Sequence, residues 1–257
     1  MSKAMLVDTS ACLACNACTV ECKRENGVVV GKDIFWTRIQ THEVGQYPTV
    51  RQYPLKRACN HCTEAACLSV CPTGALSRHE EGFVVLNQDK CNGCGYCTQA
   101  CPFGIPQLDV MDQLSGKAKA NKCSFCVERT SNGGQTACAA TCPFGAITYG
   151  ERDDLLSQGK ARVAALQAKG KSKANLYGEN QMGGLHVLYV LEDTPEAYSL
   201  PSQPQMPAGV TLWQRITRPA GEAVIGLAAV GVLAAFATAR RNVKIGEEEG
   251  VGEHEGD

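Results

Sequence analysis

The chain has 257 residues, 16 of them cysteine, a formal charge of −1 and 44% apolar residues. That length can bury one large or two modest cores, and the balanced charge gives no reason to expect a nucleic-acid partner. All sixteen cysteines fall in four tight groups built on C-x2-C pairs, whereas disulfide frameworks spread their cysteines to staple distant loops, so a secreted disulfide scaffold is a poor reading.

The N-terminal residues 1–8 have no apolar h-region and no cleavage site, so no signal peptide is expected there. Asp8-Thr9-Ser10 supplies turn residues before the first group, Cys12, Cys15, Cys18 and Cys22, spaced C-x2-C-x2-C-x3-C. Lys23 follows its last cysteine. Val28-Val29-Val30 and Ile34 to Ile39 are β-branched and aromatic and read as strands broken at Gly31-Lys32-Asp33. The second group is Cys59, Cys62, Cys67 and Cys71-Pro72, with a wider C-x4-C step in its middle. Gly74-Ala75-Leu76 follows it, and Gly82 to Leu86 reads as a short strand leading into the third group.

That third group, Cys91, Cys94, Cys97 and Cys101-Pro102, is the C-x2-C-x2-C-x3-C-P run of bacterial ferredoxins, whose thiolates hold cubane iron–sulfur clusters. Two intervening residues let a short loop wrap a cluster corner. The fourth cysteine is expected to open a helix leading to a second cluster, with the proline placed where no N–H is needed. The fourth group is Cys123, Cys126, Cys138 and Cys142-Pro143, with Gly133-Gly134 in its long loop and a strand expected over Phe144 to Gly150. The unit of loop, short helix and short strand thus occurs four times, and two units make one two-cluster module.

Beyond residue 150 the pattern changes. Asp153-Asp154 can cap a helix whose interrupted apolar face is Leu155, Leu156, Val163 and Leu166, with Gly159 in its middle and Gly170 at its end. Leu185 to Leu191 reads as a buried strand, and residues 194–208 hold four prolines, which suits an irregular arm. Residues 223–239 are seventeen uncharged residues rich in Ala and Gly, read as a single transmembrane helix rather than a buried soluble one. Gly226 and Gly231 allow close packing on a partner's helix. Arg240, Arg241 and Lys244 on its C-terminal flank outnumber Arg215 and Arg218, which stand with Trp213 on the other. The positive-inside rule then puts the C-terminus in the cytoplasm and the cysteine-bearing body on the outer, periplasmic face. Residues 246–257 hold six acidic groups and no Lys or Arg, a solvated tail that leaves about +5 on the rest.

Thiolate sulfur suits iron–sulfur clusters, and four thiolates complete one [4Fe–4S] cubane, so sixteen cysteines provide for four. In two-cluster ferredoxins the last cysteine of one run ligates the other run's cluster. Applied here, Cys59, Cys62, Cys67 and Cys101 hold one cluster, and Cys71, Cys91, Cys94 and Cys97 another. Nesting the outer groups gives Cys12, Cys15, Cys18 and Cys142 for a third, and Cys22, Cys123, Cys126 and Cys138 for a fourth. Spacing alone leaves open the alternative that pairs the first group with the second and the third with the fourth. The expected fold is α+β: two bacterial-ferredoxin-like two-cluster modules plus a C-terminal transmembrane helix. Residues 1–50 and 117–192 form the outer module, 51–116 the central one, 193–218 the arm, 219–240 the membrane helix and 241–257 the tail. There is no G-x-G-x-x-G, P-loop or nucleophile elbow, so the chain reads as a non-catalytic carrier of single electrons. His61 reads as a loop residue near a cluster and His186 as a satisfied core histidine. Tyr96, Phe103, Phe125 and Phe144 read as shields that keep water from the clusters.

The four runs, with Lys90-Cys91-Asn92-Gly93-Cys94-Gly95-Tyr96-Cys97 and Cys101-Pro102-Phe103-Gly104-Ile105-Pro106, resemble the iron–sulfur subunits of the molybdopterin oxidoreductase superfamily over about residues 8–149. Residues 175–191 and the C-terminal helix look like those of membrane-bound formate dehydrogenase β subunits. The resemblance implies the crossed, nested ligation above. It also implies a large catalytic subunit with molybdenum or tungsten bis-pterin that oxidises formate and carries the signal for export. A membrane cytochrome b subunit would take the electrons on to quinone. The same wire serving a hydrogenase or a sulfur-compound reductase is the alternative, and a zinc-binding structural protein a remote one. Compared with the best-known β subunits of that kind, the start is shorter and the tail strongly acidic.

Overall fold

The structure is a computed structural model describing residues 2–112 and 116–249, without the side chains of 213, 214, 218 and 241–249. The flanking roles expected of Trp213, Arg218, Arg241 and Lys244, and the acidic side chains of the tail, therefore lie outside the described residues. Two compact units divide the chain, Met1–Pro207 and Ala208–Asp257.

In chain order the first unit contains β1 (Lys3–Asp8), α1 (Ala17–Glu25), β2 (Thr37–Val44), β3 (Arg51–Ala58), α2 (Ala66–Ser69), β4 (Leu76–Arg78), β5 (Val84–Leu86) and α3 (Tyr96–Ala100). It continues through β6 (Gln107–Asp112), β7 (Lys117–Asn121), α4 (Val127–Ser131), α5 (Ala137–Ala140), β8 (Ile147–Glu151), α6 (Arg152–Ala168), β9 (Asn175–Tyr177) and β10 (Val187–Leu191). One four-stranded sheet has the order β8-β1-β10-β9, and β2–β3, β4–β5 and β6–β7 are separate two-stranded pairs. In the larger sheet β1 runs parallel to β10, with Met5 opposite Val187, and antiparallel to β8. Both inner strands are apolar almost throughout, as strands covered on both faces must be.

Helix α6 covers one face of that sheet. Leu155 and Leu166, with Leu156 and Val163 beside them, pack on Ala4, Leu6, Leu188 and Val190, the face expected from the sequence. Gly159 is there for proximity: a Cβ on it would stand 2.7 Å from Cδ1 of Leu176. Asp153 and Asp154 do not cap this helix. They lie in its first turn, where carboxylates complement the helix dipole, and Glu151 takes the cap position.

Two expectations fail locally. Residues 28–36 form no strand, and pairing begins only at Thr37. The aromatic residues there anchor a loop instead. The Phe35 amide donates to Oε1 of Gln107, Trp36 Nε1 donates to Oδ1 of Asn121, and the Lys23 ammonium lies 4.0 Å from the centre of the Phe35 ring. The fourth cysteine of a group also does not open a helix. Cys71, Cys101 and Cys142 each follow a short helix, and the proline after each one stops it by removing a donor and disfavouring helical backbone just before itself. In the first group Lys23 stands in that place, and α1 runs on through Cys22 to Glu25.

After Leu191 the chain stays irregular to Pro207, apart from a 3₁₀ turn at Pro195–Tyr198. Tyr198 pins this stretch to the body: its hydroxyl lies 2.9 Å from Oγ1 of Thr9 and accepts from the Glu192 amide, and its ring lies 5.0 Å from that of Tyr53.

The second unit is helical: α7 (Ala208–Leu212), a π-helical turn (Trp213–Thr217) and α8 (Arg218–Glu249). Ala208–Arg240 has a mean hydropathy of 2.0 in its most apolar window, none of which is buried, and is long and apolar enough to cross a membrane. Val224, Ile225, Leu227, Val230, Val232, Leu233 and Phe236 are all exposed.

Candidate metal centres

The four cysteine groups share one construction. A loop carries the first two cysteines, and a helix carries the third: Cys18 in α1, Cys67 in α2, Cys97 in α3 and Cys138 in α5. The residue just before the second cysteine is left-handed every time: Ala14 (φ 55°), His61 (47°), Gly93 (77°) and Phe125 (61°). Only the third group uses glycine there; in the others a side chain accepts a conformation that costs about 1–2 kcal/mol. Such a twist turns successive amides inward and makes a concavity for negative charge. The Phe125 amide donates to Sγ of Cys123 at 3.4 Å, Ala137 to Sγ of Cys126 at 3.5 Å, and Ala120 to Sγ of Cys91 at 3.4 Å. After the prolines, Gly74, Gly104 and Gly145 are left-handed as well. Burial raises the Cys71 thiol, but bonds from the Leu76, Thr73 and Ala75 amides and the Thr73 hydroxyl outweigh it, and the thiol ends below its usual range.

All sixteen thiols are free, and several are coupled electrostatically to thiols of another group. Burial pushes up Cys62 most, and the thiols of Cys59, Cys101 and Cys67 then push it further. Burial raises Cys97 to about 11, with Cys91, Cys94 and Cys71 adding to it. Cys12 is raised by burial and then by Cys142 and Cys15, while Cys18 reaches about 11 with Cys138, Cys12 and Cys142 as neighbours. Burial takes Cys22 to about 12, with Cys138 and Cys126 contributing, and buried Cys123 is raised further by Cys22 and Cys138. The Asn26 amide points at Sγ of both Cys22 (3.7 Å) and Cys126 (3.9 Å).

Packing repeats the grouping. One cavity is lined by Cys12, Cys15, Cys18 and Cys142, with Val7, Leu13, Ile39, Phe144 and Ile147 as apolar wall. One hydrophobic cluster mixes the second and third groups: Cys97 with Ala65, Leu76, Val84 and Ala120 at its centre, and Cys62, Cys67, Cys71 and Cys91 around them. Three further electrostatic couplings link thiols of different groups: Cys18 with Cys138, Cys123 with Cys59, and Cys67 with Cys97.

Among the described residues no three His, Cys, Asp or Glu side chains converge on a single point to hold one metal ion. Zinc would need its sulfurs about 2.3 Å from one centre. Coupled sets of thiols in apolar walls, with amides directed at sulfur, fit the larger cubane cluster.

Two buried lysines were not expected from the sequence. Lys56 on β3 is 1% exposed, and its Nζ has no hydrogen-bond partner among the described residues. Burial opposes its charge, yet Cys138, Cys123, Tyr189 and Cys18 hold the ammonium above the ordinary lysine range. Lys122 is equally buried but satisfied, donating to the carbonyls of Val84 (2.6 Å) and Cys123 (2.8 Å). Both stand next to cysteines or apolar strand residues in sequence. A lysine breaking such a run is the one signal that could have marked them.

His61 is fully buried, with Nδ1 at 3.0 Å from the Val84 carbonyl, and its ring meets those of Phe83 and Phe125. His186 is buried, with Nδ1 2.7 Å from the Lys3 carbonyl. The four aromatic shields divide. Phe103 and Phe125 are buried, whereas Tyr96 is 56% and Phe144 47% exposed, so these two form rims rather than covers.

Residues 50–152 match a family model described as a 4Fe-4S dicluster domain. The formate dehydrogenase iron–sulfur subunit of Haemophilus influenzae is 37% identical over 98% of this chain and 84% of its own length. The nitrate-inducible formate dehydrogenase iron–sulfur subunit of Escherichia coli is 36% identical over 91% of this chain and 82% of its own. The B subunit of the anaerobic dimethyl sulfoxide reductase of Escherichia coli is 33% identical over 66% of this chain and 84% of its own. With sixteen free thiols in four groups and likeness along nearly its whole length, the chain belongs to the family of formate dehydrogenase iron–sulfur subunits.

Proposed function

We propose that this chain is the electron-transfer subunit of a membrane formate dehydrogenase and carries four [4Fe–4S] clusters in two ferredoxin-like modules. Residues 1–50 with 117–192 make the outer module, and 51–116 the central one. The ligand sets are Cys12, Cys15, Cys18 and Cys142; Cys22, Cys123, Cys126 and Cys138; Cys59, Cys62, Cys67 and Cys101; and Cys71, Cys91, Cys94 and Cys97. The electrostatic coupling of thiols within each of these sets supports the crossed ligation over the alternative pairing. Bound there, the clusters would supply one-electron carriage. The chain's own part is to ligate, to donate amide hydrogen bonds to sulfur and to keep water from the inner sets.

One observation carries the wire: the electrostatic couplings of Cys18 with Cys138, Cys123 with Cys59 and Cys67 with Cys97 suit four sets in a single line. The second cysteines of the two end sets, Cys15 and Cys94, are the exposed ones, so the line opens to partners at both ends. At one end a large molybdenum or tungsten bis-pterin subunit delivers the two electrons released when formate becomes carbon dioxide and a proton. At the other a cytochrome b subunit takes them to quinone. The apolar helix holds the chain in the membrane, with the body on the periplasmic side and the C-terminus in the cytoplasm.

The test is anaerobic addition of formate to the complex purified in mild detergent through a tag on this chain. Bleaching of the visible cluster absorbance by formate is the expected result. Bleaching by dithionite alone would keep the wire and transfer it to a hydrogenase or sulfur-compound reductase, the reading that the dimethyl sulfoxide reductase relative favours over a shorter stretch. A protease added to spheroplasts should reach the body; full protection would overturn the orientation.

A further inference from the structure

Lys56 raises a question that ligation alone does not answer. A buried ammonium without a partner is among the costliest groups a protein can keep, because burial removes water that nothing replaces. Lys122 shows how this chain otherwise treats one, with two carbonyls taking its protons. Lys56 has no such acceptor among the described residues. Its ammonium is instead coupled electrostatically to Cys18 of one ligand set and to Cys123 and Cys138 of the next. Lys56 also lines the cavity formed by Cys12, Cys15, Cys18 and Cys142. Its strand position is fixed by pairing with Ile39, and the Tyr189 hydroxyl donates to its carbonyl at 3.1 Å, so the side chain has a rigid root.

We propose that Lys56 is a redox-tuning residue whose buried, unpartnered ammonium raises the reduction potentials of the two outer-module clusters. This rests on the four-cluster reading above. The physics is that of any fixed charge near a redox centre. Taking up one electron makes a thiolate-ligated cluster one unit more negative, and a neighbouring ammonium in a dry site favours that state. One lysine shared by two clusters moves both potentials together, which keeps the step between them level. The central pair has a buried lysine of its own, Lys122, whose ammonium is held by the Val84 and Cys123 carbonyls and acts on Cys67 through its charge.

The experiment uses the whole complex, purified anaerobically with Lys56→Met, Lys56→Gln or Lys56→Arg in this chain. Iron is assayed first, and each sample is then titrated potentiometrically with its clusters followed by electron paramagnetic resonance. Beyond the haem iron of the cytochrome b subunit, about sixteen cluster irons per chain are expected, four for each cubane. Wild-type iron well below that overturns the four-cluster reading and the proposal with it. With full iron, the proposal expects two of the four midpoint potentials to fall in both neutral variants, the other two to stay, and Lys56→Arg to restore the first two. Unchanged potentials in the neutral variants, or an equal fall in all four, overturns the role of Lys56 while leaving the wire intact. If the neutral variants assemble fewer clusters, Lys56→Arg decides. Full iron with wild-type potentials supports the ammonium, and the same loss of iron refutes it.

Discussion

The third and fourth cysteine groups solve the same chemical problem at different depths. In the third, the left-handed positions are Gly93 and Gly95, Cys94 is exposed and Tyr96 stands out at the rim. In the fourth, the same backbone twist is made by Phe125 and Cys126, all of Cys123, Cys126 and Cys138 are buried, and Phe125 stacks on Phe83 at 4.7 Å. Glycine adopts the twist without strain but brings no side chain to exclude water. Phenylalanine takes the strain and brings a ring that walls the site. If the ligand sets form the proposed electron line, a loop at its end must let a partner approach and a loop in its middle must keep solvent out. The cysteine spacing is the same kind of motif in both; what surrounds it sets the use.

The sharpest way to break this contrast is to remove one thiol at each depth. Cys94→Ser should cost about four irons of roughly sixteen and leave the other clusters assembled. Cys123→Ser should cost more than one cluster's iron, because that thiol is buried and coupled electrostatically to both Cys22 and Cys59, which the proposed ligation puts in two different sets. Electron flow from formate to quinone should stop in both. Equal iron loss in the two variants would show that depth does not matter.

A smaller effect separates the left-handed residues. Phe125→Ala should destabilise the body by about 3–5 kcal/mol, the range for emptying a packed aromatic site, since the strain stays and the ring is lost. Gly93→Ala meets a different obstacle, a Cβ placed 2.4 Å from the carbonyl oxygen of Ala118 at φ 77°. It should cost about 1–3 kcal/mol and loosen the β6–β7 hairpin against the loop. Denaturant unfolding of the assembled protein checks both, and a neutral Phe125→Ala would remove the distinction drawn here.

The smallest effect is expected at the rim. Tyr96→Ala and Phe144→Ala should change stability by no more than about 0.5 kcal/mol, because each side chain is about half exposed. A loss like that of Phe125→Ala at either position would show that the rims are covers after all.

The sequence by itself determined the chemistry. Sixteen cysteines at short fixed spacings identify the metal centres because ligation needs thiolates close along the chain, and such patterns survive in one dimension. The apolar face of α6, the buried run at β10 and the long helix at the C-terminus were legible for the same reason: each has a local period or length. The tertiary structure alone decided what depends on distant partners. β1 was silent in sequence because its meaning is parallel pairing with β10, some 180 residues away. β3 carries Pro54 and charged residues, and β7 reads Lys-Ala-Lys-Ala-Asn, with its alanines buried and its lysines outward; neither has strand-like composition. The aromatic residues at 35 and 36 are spent on side-chain anchors rather than on a strand. The depth of each cysteine group and the burial of Lys56 are properties of the packed molecule. They arise where segments meet, and no local pattern records a meeting.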